Sequence, residues 1–222
     1  MQQFGYGEHI AQTVESLPYE AVIQTEEIAL RLAEQFALPY DKARAATNVK
    51  LKRMADGGEI KRLHKGVYCH VKETAFGRTT PDIDKLMART LLIKDGRRIG
   101  YESGPSILNR LGLSTLLPRM IELTTNDCGI KLPAGCQIEL KKPRTEVTDE
   151  NWKYLQFLDV VDSLRCGHTD AEKPNQILLE FVRKENIDAL TLVFTARRLY
   201  AQRTVLQVVD LLMEGKNEPA SR

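Results

Sequence analysis

Apolar positions in the first third of the chain recur at helical spacing and are interrupted by residues that end a helix. Ile10, Val14 and Leu17 fall at i, i+4 and i+7, one stripe of a helix, and Pro18 turns the chain away from it. Ala21, Val22 and Ile23 make a short apolar run fit for a strand. Thr25 is placed to cap a second helix, Glu26 and Glu27 suit its positive end, and Ala29, Leu32, Ala33 and Phe36 continue its stripe. Leu38-Pro39 breaks that helix, and Asp41 is placed to cap a third over 42–55, stopped by Gly57-Gly58. The runs 60–63 and 67–71, separated by His64-Lys65-Gly66, have the composition of a hairpin with glycine where positive φ is needed. Two helices with a tight connection, followed directly by a hairpin, predict a winged helix-turn-helix domain over 1–75.

Residues 76–81 (FGRTTP) have no periodicity and read as a linker. Beyond them Ile83, Leu86, Met87, Thr90 and Leu91 form a helical stripe ending near Gly96, Gly104-Pro105 opens a short helix, and Gly112 closes it. The runs 120–124 and 137–140 read as strands joined by a turn containing Asn126, Asp127 and Gly129. From 148 to about 215 the pattern is helical, with Pro174 starting one helix and Asp188 capping the next. The expected fold class is α+β: the winged helix, then a mixed α/β domain over 82–222 that is α+β to about 145 and helical from 148 to 215.

Charge sharpens this picture. Residues 42–72 hold nine lysines and arginines against Asp56 and Glu59, whereas residues 1–41 hold Arg31 against seven carboxylates. A chain that sorts its charge so sharply presents one electropositive surface, whose usual counterpart is a polyanion, so double-stranded DNA is the first expected partner. Turning Ala43, Thr47, Leu51 and Met54 of the third helix inward leaves Lys42, Ala45, Asn48, Val49, Lys52 and Arg53 outward, with Arg44 beside them. That mixture suits a major groove, where Asn pairs with adenine, Arg or Lys with guanine or phosphate, and Ala or Val with a thymine methyl. A solvated basic face is the plainer alternative. In the hairpin, Lys61, Arg62, His64 and Lys65 are expected at the tip, contacting phosphate, although His64 is equally read as an ordinary surface histidine. Arg183, Arg197, Arg198 and Arg203 are available to a second half-site but read more simply as solvated helix faces.

Catalytic chemistry finds little support. The segment GYESG at 100–104 sets its serine one position late for a nucleophile elbow, and Ser103 reads as a cap or turn residue. Asp82 and Asp84 open an amphipathic helix. Pro81-Asp82 with Glu139-Leu140-Lys141 mimics the carboxylate and Glu-x-Lys set of metal-dependent nucleases and is kept as a lesser alternative. The four histidines show no metal spacing and no glycine loop cradles a phosphate, so no catalytic residue, metal or cofactor is expected. Cys69, Cys128, Cys136 and Cys166 lack a CxxC pair and read as reduced thiols. With no leader pattern and no long apolar run, a cytoplasmic protein is expected, without membrane attachment and as a monomer or homodimer.

The run GEIKRLHKGVY, preceded by the basic helix and followed by GYESGPSILNRLGLSTLLPRMIELTTN, resembles the AbiEi-type antitoxins of bacterial abortive-infection (type IV) toxin-antitoxin systems. The matching features are the Gly-x-x-Ser-Gly block at 100–104, the Gly112-Leu113 pair and the strand ending in Thr124-Thr125. The resemblance is best over 54–126, looser in the C-terminal helices, and the acidic first 41 residues depart from it. It implies a winged helix that represses its own promoter, with inverted-repeat sites, and a C-terminal domain that counters a nucleotidyltransferase toxin. The alternatives are a general winged-helix regulator, or a protein-binding module that sets its basic face against an acidic partner.

Overall fold

The computed structural model describes residues 5–133, 135–164 and 169–217. The chain is mixed α+β and divides into two compact units, Met1–Thr90 with Lys131–Cys136, and Leu91–Ile130 with Gln137–Arg222. Residues 76–81, read from sequence as a linker, carry a strand, and the division falls further along, after Thr90.

In the first unit α1 (Tyr6–Ser16), β1 (Val22–Gln24), α2 (Thr25–Phe36) and α3 (Tyr40–Asp56) precede β2 (Ile60–His64) and β3 (Val67–His70). The strands form an antiparallel sheet in the order β1-β3-β2, with Val22 opposite Cys69 and Ile60 opposite His70. Ile10 and Val14 from α1, Ile28 and Leu32 from α2, and Leu51 and Met54 from α3 close one core with Ile23, Ile60 and Tyr68 from the strands. The helical spacings read from sequence thus become buried faces. Two caps differ from expectation. Thr25 is the first residue of α2 and does not cap it; its Oγ1 is buried without a hydrogen-bond partner, while its N–H donates to Gly66 O at 2.8 Å. Asp41 lies inside the first turn of α3, because Pro39 takes the N-cap position with φ already suited to entering a helix, so the helix starts at Tyr40. Two further strands, β4 (Lys72–Thr74) and β5 (Gly77–Thr79), pair as a small antiparallel hairpin, and α4 (Ile83–Leu92) follows. Asp82 accepts from the Lys85 N–H at 3.1 Å, capping α4.

The second unit opens with a two-residue hairpin, β6 (Ile93–Lys94) and β7 (Arg97–Arg98), followed by β8 (Gly100–Ser103) and α5 (Gly104–Arg110). Its main sheet has the order β10-β9-β8, where β9 (Ile121–Thr125) runs antiparallel to β8 and parallel to β10 (Ile138–Lys141). The expected turn between two strands is therefore a crossover, since parallel neighbours cannot be joined by a hairpin. Gly100 is required in β8: a Cβ there would lie 2.6 Å from Leu91 O and 2.8 Å from Thr124 O. Helices α6 (Trp152–Leu164), α7 (Pro174–Lys184), α8 (Ala189–Leu199) and α9 (Gln202–Asn217) complete the chain. Phe157, Leu158, Val161, Leu178, Leu192 and Val208 lie at the centre of their shared core. Pro174 stands in the first turn of α7, and Asp188 caps α8 by accepting from the Thr191 N–H at 2.7 Å.

Cys69, Cys128 and Cys136 are free thiols; Cys166 lies outside the described residues. Among the described residues no helix is long and apolar enough to cross a membrane.

Candidate nucleic-acid interface

The α3 helix turns one face wholly inward. Ala43, Thr47 and Leu51 are fully buried and Met54 nearly so, and the Thr47 hydroxyl satisfies itself by donating to Ala43 O at 2.9 Å. With that stripe fixed by the core, Lys42, Arg44, Ala45, Asn48, Val49, Lys52 and Arg53 are all exposed. Val49 keeps 52% of its surface open. A half-exposed valine amid cations offers an apolar surface of the kind that a methyl-bearing base edge meets. Arg44 reaches Glu26 on α2 at 3.9 Å, but both side chains are about half exposed or more, so the pair holds Arg44 weakly.

The four hairpin residues do not lie together at the tip. Lys61 stands opposite Cys69 and Arg62 opposite Tyr68, on the body of β2, and only His64 and Lys65 flank the turn that Gly66 closes at φ 78°. Lys61 and Arg62 pair in regular register, so they leave opposite faces of β2, and on this edge strand both are exposed; the bulge falls after them, between Arg62 and His64, and brings Leu63 inward like Ile60. Arg62 Nε donates to His64 O at 3.3 Å, which draws the guanidinium toward the turn. His64 is half-buried. Desolvation lowers its pKa below the ordinary value, the nearby Arg62 charge acts in the same direction, and a hydrogen bond to the Lys65 backbone opposes both. At neutral pH it offers a hydrogen-bonding ring rather than a positive charge.

The β4–β5 hairpin escaped the sequence reading. Its strands are exposed on both faces and so carry no apolar alternation; the one local signal was Gly77, which turns the chain at φ 106° between Lys72 and Arg78. Phe76, beside it in the turn, is fully exposed.

A second polar cluster lies within the second unit. Tyr101 Oη donates to Asp159 Oδ2 at 2.7 Å, Tyr200 Oη donates to Asp159 Oδ1 at 2.6 Å, and Arg144 approaches Asp159 at 3.7 Å and Asp162 at 3.2 Å. Burial raises the Asp159 pKa, against the two hydroxyl donors and Arg144, while burial and the adjacent carboxylate push both tyrosines well up. Alongside, Lys141 pairs with the buried Glu122 at 2.5 Å, and the Ser103 hydroxyl donates to Glu122 at 2.9 Å. Ser103 does occupy the N-cap position of α5, yet its hydroxyl serves Glu122 rather than the helix. Lys141 is thus engaged by Glu122, while Glu139 points to solvent. No group of three or more metal-ligating side chains occurs among the described residues.

No family model matches the chain, and no curated protein shows significant similarity to it.

Proposed function

We propose that this chain is a DNA-binding transcriptional regulator of the winged helix-turn-helix type, in which α3 enters the major groove and the β2–β3 hairpin rests on the backbone. The observation that carries the reading is the division of α3: Ala43, Thr47, Leu51 and Met54 consumed by the core, and a mixed cationic, amide and small apolar face left outside. In this reading Asn48 and Val49 contact base edges, Lys42, Arg44, Lys52 and Arg53 reach base or phosphate with Ala45 allowing close approach, and Lys61, Arg62, His64 and Lys65 position the protein on the phosphates. We further propose, from the sequence resemblance alone, a cytoplasmic autorepressor that also acts as the antitoxin of a type IV system against a nucleotidyltransferase toxin.

The DNA-binding reading is tested by gel shift of the full chain on the duplex upstream of its own coding sequence. Replacing two contacting cations, Lys52→Ala plus Arg53→Ala, is expected to weaken binding by roughly tenfold or more at physiological salt. Unchanged affinity would remove α3 from the interface. Whether a neighbouring gene encodes a nucleotidyltransferase, and whether co-expression relieves its toxicity, tests the antitoxin half separately.

A further inference from the structure

We propose that the β4–β5 hairpin is a second backbone clamp: the groove it makes with the C-terminal half of α3 and the exposed edge of β2 carries the phosphodiester backbone of duplex DNA. This rests on the DNA-binding reading and adds to it an element that reading does not use. The groove encloses about 580 Å³, and the charged residues lining it are Lys52, Lys61, Arg62 and Arg78, against Asp56. Four cationic residues from three different elements border it with one carboxylate among them. Such a set repels itself unless something anionic lies along it, and a diester chain supplies negative charges at regular intervals.

Arg78 is brought to the groove by two neighbours. Its guanidinium lies against Gly58, where the chain leaves α3 at φ 78°, so a side chain at that position would meet the guanidinium as well as strain the backbone. Across the hairpin it meets Glu73 at 3.3 Å, an ion pair exposed on both sides and so weak in holding the cation from another partner. Beyond these charges the turn projects Phe76, whose full exposure contributes nothing to the core. An apolar side chain carried past a cationic rim suits the sugar edge or a base step of a groove that the hairpin straddles.

The test measures fluorescence anisotropy of the full chain on two duplexes of equal length, the upstream sequence and an unrelated one, over a series of salt concentrations. Arg78→Gln is expected to weaken both by the same factor, roughly three- to fivefold, and to reduce the slope of log affinity against log salt by about one. Glu73→Gln, which releases Arg78, is expected to tighten both, a gain that misfolding cannot imitate. Phe76→Ala is expected to weaken both while leaving the salt slope unchanged. If Arg78→Gln and Glu73→Gln both keep wild-type affinity and slope while Lys52→Ala plus Arg53→Ala weakens binding, the clamp is overturned and the reading of α3 stands. A loss confined to the upstream duplex also overturns it, since a backbone contact cannot discriminate sequence. Failure of the unaltered protein to hold either duplex overturns both readings.

Discussion

Asp159 is the partly buried carboxylate on which the second unit concentrates its polar contacts. Two tyrosine hydroxyls and Arg144 converge on it, and even so burial keeps its carboxyl above the ordinary carboxylate range. An acid whose folded pKa is raised contributes stability that is fully present below its unfolded pKa and is lost as pH rises through the folded one. The Tyr200 hydroxyl limits that loss by donating to the anion. Tyr200→Phe should therefore cost about 1.5–3 kcal/mol near neutral pH, the usual range for a hydrogen bond to a charged group. The cost should shrink toward about pH 4, the region of an unperturbed Asp carboxyl, where the protonated side chain no longer depends on the donor. Denaturant unfolding at the two pH values checks this; an equal cost at both would mean that Asp159 is not ionised in the folded protein near neutrality.

Among the elements, helices with a one-sided apolar stripe were legible in the sequence and strands were legible only where a short apolar or β-compatible run marked them. The α3 stripe is the best case: a period of 3.6 residues with Gly57-Gly58 behind it identified all four inward side chains. The β8 strand was missed because it is short and begins at a glycine, chosen for close backbone approach rather than for strand propensity. Strand composition likewise says nothing of direction, so the parallel pairing of β9 with β10 could not be read from two apolar runs. Caps were legible unevenly. Asp41 and Thr25 each stood near a helix start, but Pro39 and the sheet, through Gly66, set those starts elsewhere, whereas no such competitor precedes Asp188. The Asp188 carboxyl has a depressed pKa, chiefly from the Thr191 backbone N–H, so its contribution is present above the unfolded pKa and lost as pH falls through the folded one. Asp188→Ala is expected to lower Tm and speed amide exchange in the first turn of α8, and Asp188→Asn to restore most of both. A Tm gap between wild type and Asp188→Ala that persists at low pH would assign the effect to something other than the cap.

At the scale of the whole molecule, a formal net charge of +2 conceals an acidic opening segment and a basic stretch from 42 to 72, and the candidate interface was legible chiefly through that sorting. What charge counting missed was Arg78, because its contribution depends on which backbone it lies against, and Gly58 is distant in sequence from the hairpin that meets it. The position of β2 at the edge of its sheet has a consequence for how the molecule behaves in solution. An open strand edge is a template on which a second copy can hydrogen-bond, and charged side chains are the ordinary guard against it. Lys61 and Arg62 stand on that edge. Removing them should therefore uncover a surface that pairs strand to strand. Lys61→Ala plus Arg62→Ala, freed of nucleic acid, is expected to scatter light increasingly with time and concentration where the wild type stays clear; a variant that stays equally clear would relieve those charges of that duty. On the proposed DNA-binding reading, the same two cations would keep the protein apart from its own copies and hold it to DNA, and solubility and binding would not be tuned independently along this strand.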